Sequence, residues 1–386
     1  MAVLCENCAG RLIFNPATQR LECATCGSSF RPEDVEDKNA DAHSKYYDTR
    51  VYTCAHCGAE VVTSDSEVST FCVYCGNPAI NFSRISKEYR PDGLIPFQVT
   101  REEAIRYIKL KLLKNPIVPK EVQKDCVPEN LRGIYIPYWI ANAEFSEADF
   151  LSGRVKQGKN TVTKYYSRAG SVKLKNVPVD GSRTLNDDVS RKLEPFYLED
   201  SKEFDEDYLN GFYSNTSDMN YTDLKNSAAF RCHKLYEDEV VKTVSARDVK
   251  ILDSIYWVDI QDDPIYMMMP VWFLTFKFED KPYTVLVNGQ TGKVVGTMPW
   301  KKKRIATISI SLFLLLLAVI SLLFLLIIND RWAILFSTFH TYGVAALVVG
   351  SGYAFTSGLA GLRRIAKNLK LTQSEDIFRY VKKRQG

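Results

Sequence analysis

Apolar positions along the 386-residue chain fall into two regimes. Residues 305–328 form a run of twenty-four without a charge, and a looser apolar stretch lies within 333–362, at its best over 342–362. At about 1.5 Å rise per residue the first run is about 36 Å long, enough for a bilayer core of about 30 Å. The pattern therefore predicts a transmembrane α-helical hairpin, with helices at 305–328 and 340–362. Ala346, Gly350, Ala354 and Gly358 recur every four residues and would turn a small-residue face toward the first helix.

Upstream, residues 94–300 alternate short apolar runs with amphipathic ones and predict an α+β middle domain with a mainly antiparallel sheet. Thr100-Arg-Glu-Glu103 is a capping box opening a helix that carries Ala104, Ile105, Ile108 and Leu112. Residues 134–145 predict a strand; 187–196, 204–212 and 218–244 predict helices, the last with Tyr221, Leu224, Ala228 and Leu235 on one side. Residues 271–278 and 283–287 predict a hairpin, and the turn 288–292 leads to a strand at 293–297. Ile136-Pro-Tyr-Trp139 and Met269-Pro-Val-Trp272 repeat one pattern, which suggests a duplicated half-domain.

The first 83 residues follow neither rule. Cys5-Glu-Asn-Cys8 and Cys23-Ala-Thr-Cys26 are separated by fourteen residues, as are Cys54-Ala-His-Cys57 and Cys72-Val-Tyr-Cys75. A C-x-x-C knuckle aims both sulfurs at one ion, and two knuckles complete a tetrahedral S₄ site. Short strands at 11–14, 19–22, 60–63 and 69–71 lie between the knuckles, and Gly27, Gly58 and Gly76 follow their last cysteines. The duplication argues against redox dithiols or disulfides. Iron in a rubredoxin-like S₄ site stays open. Zinc is preferred because neither unit has the aromatic cover a redox centre needs, so two structural Zn²⁺ ions are expected on Cys5, Cys8, Cys23, Cys26, Cys54, Cys57, Cys72 and Cys75. His56 is a spare residue in a knuckle turn.

The expected fold class is thus multidomain: two small β zinc ribbons, the α+β middle domain and the transmembrane hairpin. The segments are zinc ribbon 1 at 1–32, a linker at 33–50, zinc ribbon 2 at 51–83, the cytosolic α+β domain at 94–300, the two membrane helices, and a basic cytosolic tail at 363–386. The chain opens without a basic, apolar leader, so a reducing cytoplasm is expected for its N-terminal part.

The net charge of +4 is unevenly spread. Residues 301–304 carry +4 and the tail from Arg363 carries +6, which leaves −6 on residues 1–300. Basic clusters flank the apolar runs, so the positive-inside rule puts both termini in the cytoplasm of a two-pass protein in the cell membrane. The acidic remainder opposes nucleic-acid binding. The segment Gly289-Gln-Thr-Gly-Lys293 lacks P-loop spacing. His233 with Glu237 four residues on reads as a surface ion pair. No catalytic set emerges, and no enzymatic activity is expected.

Several motifs in order then carry a resemblance. After the paired ribbons come Leu94-Ile-Pro-Phe97, Thr100-Arg-Glu-Glu-Ala104, Tyr135-Ile-Pro-Tyr-Trp139, Val177-Pro-Val-Asp180, Glu194-Pro-Phe196, Tyr208-Leu-Asn-Gly-Phe212, Pro270-Val-Trp272 and Asn288-Gly-Gln-Thr-Gly292. Over nearly its whole length the chain resembles the bacterial TFIIB-type zinc-ribbon two-pass membrane proteins, the YdjG-like family. The resemblance implies a membrane-stress scaffold that recruits PspA-like and SPFH/flotillin-like partners to the inner face of the cell membrane, and it carries no catalytic residues. A membrane-anchored adaptor is therefore the leading expectation. The alternative is a membrane-tethered zinc-ribbon protein that binds nucleic acid or serves transcription. A third reading is an enzyme whose pocket no motif marks.

Overall fold

The computed structural model describes residues 4–35, 44–56, 60–63, 72, 80–113, 118–126, 130–182, 187–279, 281–296 and seven helical positions between 307 and 319. Strands β1 (Leu12–Asn15), β2 (Arg20–Cys23) and β3 (Ser29–Phe30) form a small antiparallel sheet. The other described strands join one large sheet. They are β4 (Tyr46–Cys54), β5 (Glu60–Thr63), β6 (Ile80–Tyr89), β7 (Gly93–Leu94), β8 (Arg132–Gln157), β9 (Asn160–Asp180), β10 (Lys202–Glu203), β11 (Tyr213–Ser214), β12 (Arg247–Phe278), β13 (Lys281–Asn288) and β14 (Val294–Gly296). Its path runs β10-β7-β12-β8-β11-β5-β4-β6, with β9 beside β8 and the β13–β14 pair beside β12. Helices α1 (Arg101–Ile108), α2 (Lys120–Asp125), α3 (Asp187–Leu193) and α4 (Tyr221–Val240) cover it in places.

The long antiparallel pair of β8 and β12 is the backbone of this sheet. Its first half is buried on both faces, so both parities of side chain are apolar. Ile134, Ile136, Tyr138, Ile140, Met267 and Met269 meet Val189 and Leu193 of α3 on one side. Tyr135, Met268 and Trp272 join Phe97, Ile108 and Val122 on the other. The two repeated segments are register partners: Ile136 faces Met269 and Tyr135 faces Pro270. Each tryptophan donates its indole N–H, Trp139 to Ser217 Oγ and Trp272 to Val99 O, both at 2.9 Å. Such buried N–H groups must be satisfied where they lie.

Phe97 is a fully buried ring of this core. It stacks on Phe212 at 4.3 Å and meets Trp272 at 4.9 Å and Tyr135 at 5.1 Å. The backbone leaves no room to spare. A Cβ at Gly133 would lie 2.4 Å from Phe212 Cδ1, and one at Gly289 would lie 2.6 Å from Phe97 Cδ1.

Several expected elements form. Thr100 and Glu103 close the capping box that starts α1. Asn220 and Asp223 form another at α4. The stripe α4 buries is Leu224, Ala228 and Cys232, while Tyr221 and Leu235 are exposed. In the turn after β13, Asn288 Oδ1 accepts from the N–H groups of Gln290 and Thr291. The helix expected at 204–212 is a 3₁₀ turn at Glu206–Leu209 instead. Asp205 caps that turn by accepting from Asp207 N, which suits one turn better than a longer helix.

The fold class needs a larger correction. The described chain is mostly β-sheet, with four α-helices. Among the described residues no helix is long and apolar enough to cross a membrane. The longest, α4, has twenty residues and carries seven Asp, Glu, Lys or Arg side chains. The expected hairpin at 305–328 and 340–362 lies outside the described residues, except for Thr307, Ile310, Ser311, Leu314, Leu315, Ala318 and Val319. Those seven are helical and exposed but do not amount to a span, which needs about twenty consecutive residues. The transmembrane hairpin, the integral two-pass membrane association and the cell-membrane location with both termini cytoplasmic are corrected together, because all three rested on that apolar run.

Truncating the central ring tests the packing account. Phe97→Ala should cost about 3–5 kcal/mol in denaturant unfolding, since neither glycine-backed wall can collapse into the space. A cost under about 1 kcal/mol would refute the enclosure described here.

Candidate metal centre and a buried carboxyl pair

The first four-cysteine unit folds as its spacing predicts. Leu12–Asn15 and Arg20–Cys23 pair antiparallel with Leu12 opposite Cys23. Asn15 turns the chain by accepting from Ala17 N and donating to Glu22. Each knuckle closes through backbone bonds: Ala9 N donates to Cys5 O, and Gly27 N to Cys23 O. The residue four after each leading cysteine takes a left-handed φ, +57° at Ala9 and +73° at Gly27. Glycine was the expected signal there, so the alanine of the first knuckle hid its turn.

The sulfurs of Cys5, Cys8, Cys23 and Cys26 all lie within 4.8 Å of one another. Cys5 and Cys26 are 3.6 Å apart, Cys8 and Cys23 3.5 Å. A tetrahedron with metal–sulfur bonds of about 2.3 Å has edges of about 3.8 Å, so the set fits one ion after small adjustments. All four are free thiols. Donors are already aimed at them: Gly10 N at Cys8 Sγ and Thr25 N at Cys23 Sγ, both at 3.4 Å. The Ser28 hydroxyl and then the Ser28 N–H hold the Cys26 thiol down to about 6. The Cys8 thiol is pushed up to about 12, chiefly by its hydrogen bond to Cys26. A cation entering the set would displace the thiol protons. The cluster could hold a metal ion.

The second unit is described in part. Cys54 ends β4 and Cys72 follows, both buried, while Cys57 and Cys75 lie outside the described residues. His56 is exposed. Strands β4 and β5 pair from Arg50–Thr63 to Thr53–Glu60, and β5 joins the main sheet through Ser214.

Neither unit stands apart from the body of the protein. Phe14 of the first ribbon packs on Tyr208 at 5.1 Å, and Phe14 N donates to Asn210 O. Gln19 Nε2 donates to Phe97 O at 2.7 Å, and the Tyr208 hydroxyl donates to Glu33. Leu12, Phe14 and Leu21 share one core cluster with Phe97 and Trp272.

A second polar cluster was not visible in the sequence. His233 of α4 is 3.5 Å from Glu237, the expected pair, but the two side chains are partly buried and not on the surface, and His233 Nδ1 lies 2.8 Å from Glu147 Oε1 on β8. Glu147 and Asp149 are each 3% exposed and lie under α4, with Glu147 Oε2 and both Asp149 oxygens lacking a hydrogen-bond partner. Burial raises the Glu147 carboxyl to about 7; Asp149 adds to the rise and His233 opposes it. Two residues two apart on a strand share a face, and that alternation was the available signal.

No family model matches the chain. No solved structure matches it either. It is similar to a protein of Bacillus subtilis (strain 168) that bears the name uncharacterized protein YdjG, with 27% identity over 322 residues, 78% of this chain and 91% of that one. That protein is a distant homologue.

Two outcomes follow from this geometry. A Cβ at Gly10 would meet Thr25 Oγ1 at 2.5 Å and Cys23 Sγ at 3.0 Å, so Gly10→Ala should wedge the knuckles apart while keeping every ligand. It should lose metal to a chelator at least about tenfold faster than the parent chain, and an unchanged rate would refute the wedge. For Glu147 the sign is that of a carboxyl raised in the fold: stability is fully present below its ordinary 4.5 and is lost as pH rises through about 7. Glu147→Gln should therefore match the parent near pH 4.5 and exceed it by roughly 1–3 kcal/mol near pH 8 in urea unfolding. Parallel pH profiles would remove the raised carboxyl.

Proposed function

We propose that this chain is a non-enzymatic zinc-ribbon adaptor that holds partner proteins on its ribbon-bearing body. The observation that carries the proposal is the closed four-sulfur set of the first ribbon, fastened to the core through Phe14, Gln19 and Tyr208. Four thiolates fill a tetrahedral ion and leave no position for water or substrate, so such a site braces a surface rather than performing chemistry. Zinc suits this set because it takes four sulfurs without a redox cycle. The repeat spacing assigns a second zinc to Cys54, Cys57, Cys72 and Cys75.

The net −6 on residues 1–300 favours a protein partner over nucleic acid, whose phosphates need a basic face. The partners to look for are those the family resemblance implies, PspA-like and SPFH/flotillin-like proteins.

Full-length protein captured from its own cells should carry two zinc ions per chain by elemental analysis and bring down one of these partners by mass spectrometry. One zinc, or a chain that recovers only nucleic acid in a salt-sensitive manner, would overturn the adaptor reading. Cys23→Ser should lower the metal count by one and reduce capture of the partner.

A further inference from the structure

Beyond residue 145 the central sheet continues as a three-stranded arm, β9–β8–β12, whose pairing persists to Gln157–Asn160 at the tip. One face of the arm is covered by α4, where Leu224, Ala228 and Cys232 meet Ala143, Phe145 and Val258. The other face is open. Ile255 is 77% exposed and Tyr165 64%, and Phe150 stacks on Tyr165 at 5.7 Å. Paired small residues, Ala148 with Ala169, lie in the floor of a groove of about 400 Å³ beside Phe150, Ser167 and Ile255.

Both long edges of the arm are also open among the described residues. β9 pairs with β8 alone, and the outer part of β12 pairs with β8 alone. Irregularities interrupt each edge at its ends: a register shift near Asn176 on β9, and shifts at 251–253 and 261–265 on β12. Between them lie regular stretches of fifteen residues on β9 (160–174) and nine on β12 (253–261).

The two stretches carry opposite charge. Residues 160–174 hold Lys164, Arg168 and Lys173 with no acid, and residues 253–261 hold Asp253 and Asp259 with no base. Over the whole outer strands the balance is +4 on 160–176 and −3 on 247–263. Edge charges ordinarily deter strand-to-strand association. Here they deter β9 from β9 and β12 from β12, and leave β9 against β12 as the pairing that both edges favour.

We infer that the arm is a self-assembly surface, in which the basic β9 edge of one copy adds to the acidic β12 edge of the next. The contact joins two different patches, so it repeats without closing into a symmetric dimer and generates rows of copies. β9 and β12 both run antiparallel to β8, so a copy added by translation continues the sheet as a parallel pair. The open apolar face then becomes a continuous ridge along the row. This assembly is independent of zinc loading and of any captured partner.

The test uses the full-length chain in sedimentation velocity. In about 50 mM salt, association should pass beyond dimers as concentration rises, and it should fall at about 500 mM salt, where surface charge is screened. Lys164→Glu with Lys173→Glu reverses one edge; Asp253→Lys with Asp259→Lys reverses the other. All four side chains are exposed, and none lies in the core. Each double variant alone should associate about tenfold more weakly or worse, and an equimolar mixture of the two should regain the parent's association, because each reversed edge now meets its complement. Three outcomes would overturn the inference: a monomer at all concentrations, association that stops at a dimer, or association indifferent to salt and to both reversals. The salt series on the parent chain decides the matter even where a variant fails to fold.

Discussion

The structure depends on the enclosure of Phe97. Its ring is pressed between Phe212, Tyr135 and Trp272, and its carbonyl accepts from Gln19 of the first ribbon. Five separated parts of the chain meet there: the ribbon, β8, the segment of Phe212 before β11, β12 and the turn after β13. Glycine at 133 and 289 is what lets two strands and a turn approach the aromatic stack so closely. A ribbon of about thirty residues has too little apolar surface to fold by itself. This one makes up the difference in two ways, through four sulfurs around one centre and through Leu12, Phe14 and Leu21 sunk into the same cluster as Phe97. An ion held by this set would therefore be coupled to the core packing. Its binding or loss would be felt at Phe14 and Tyr208 as well as at the knuckles.

The long strands divide the molecule by environment. From Arg132 to about Phe145, β8 is covered on both faces; beyond that, α4 covers one face and the other is bare. This change explains why Glu147 and Asp149 can lie under a helix without a full set of partners. The strand's alternation fixes their direction, and α4 brings His233 to one of them. The sheet tolerates the buried carboxyls because one is easily protonated, which removes the charge that burial penalises.

What the sequence disclosed was whatever depends on neighbours a few residues away. The cysteine knuckles of the first ribbon, the capping box at Thr100, the body of α4 and the β12–β13 hairpin formed where spacing and local bonding put them. What it hid depends on distant partners. β9 has no apolar run to announce it, because most of its side chains face solvent and its order comes from pairing with β8. The outer half of β12 is similar. The helix expected at 204–212 failed because its apolar residues, Phe204, Tyr208 and Phe212, are claimed one by one by Tyr47, Phe14 and Phe97. The transmembrane hairpin was inferred from the apolar runs, the small-residue face and the flanking basic clusters, and no described helix supplies it.

The two kinds of surface left outside the core suit different tasks. The ribbon side is held rigid by aromatic contacts, so its exposed knuckle residues Glu6, Asn7 and Thr25 keep a fixed arrangement. Such pre-organised loops lower the ordering cost of binding a partner. The arm is the opposite: long, regular and open at both edges, with backbone groups at its margins that only another strand can match in number. Its charges favour β9 against β12 over either edge against itself. One end of the molecule is thus built to present a shape and the other to repeat, and the doubly buried half of β8 and β12 is the stiff link that lets both be true of a single sheet.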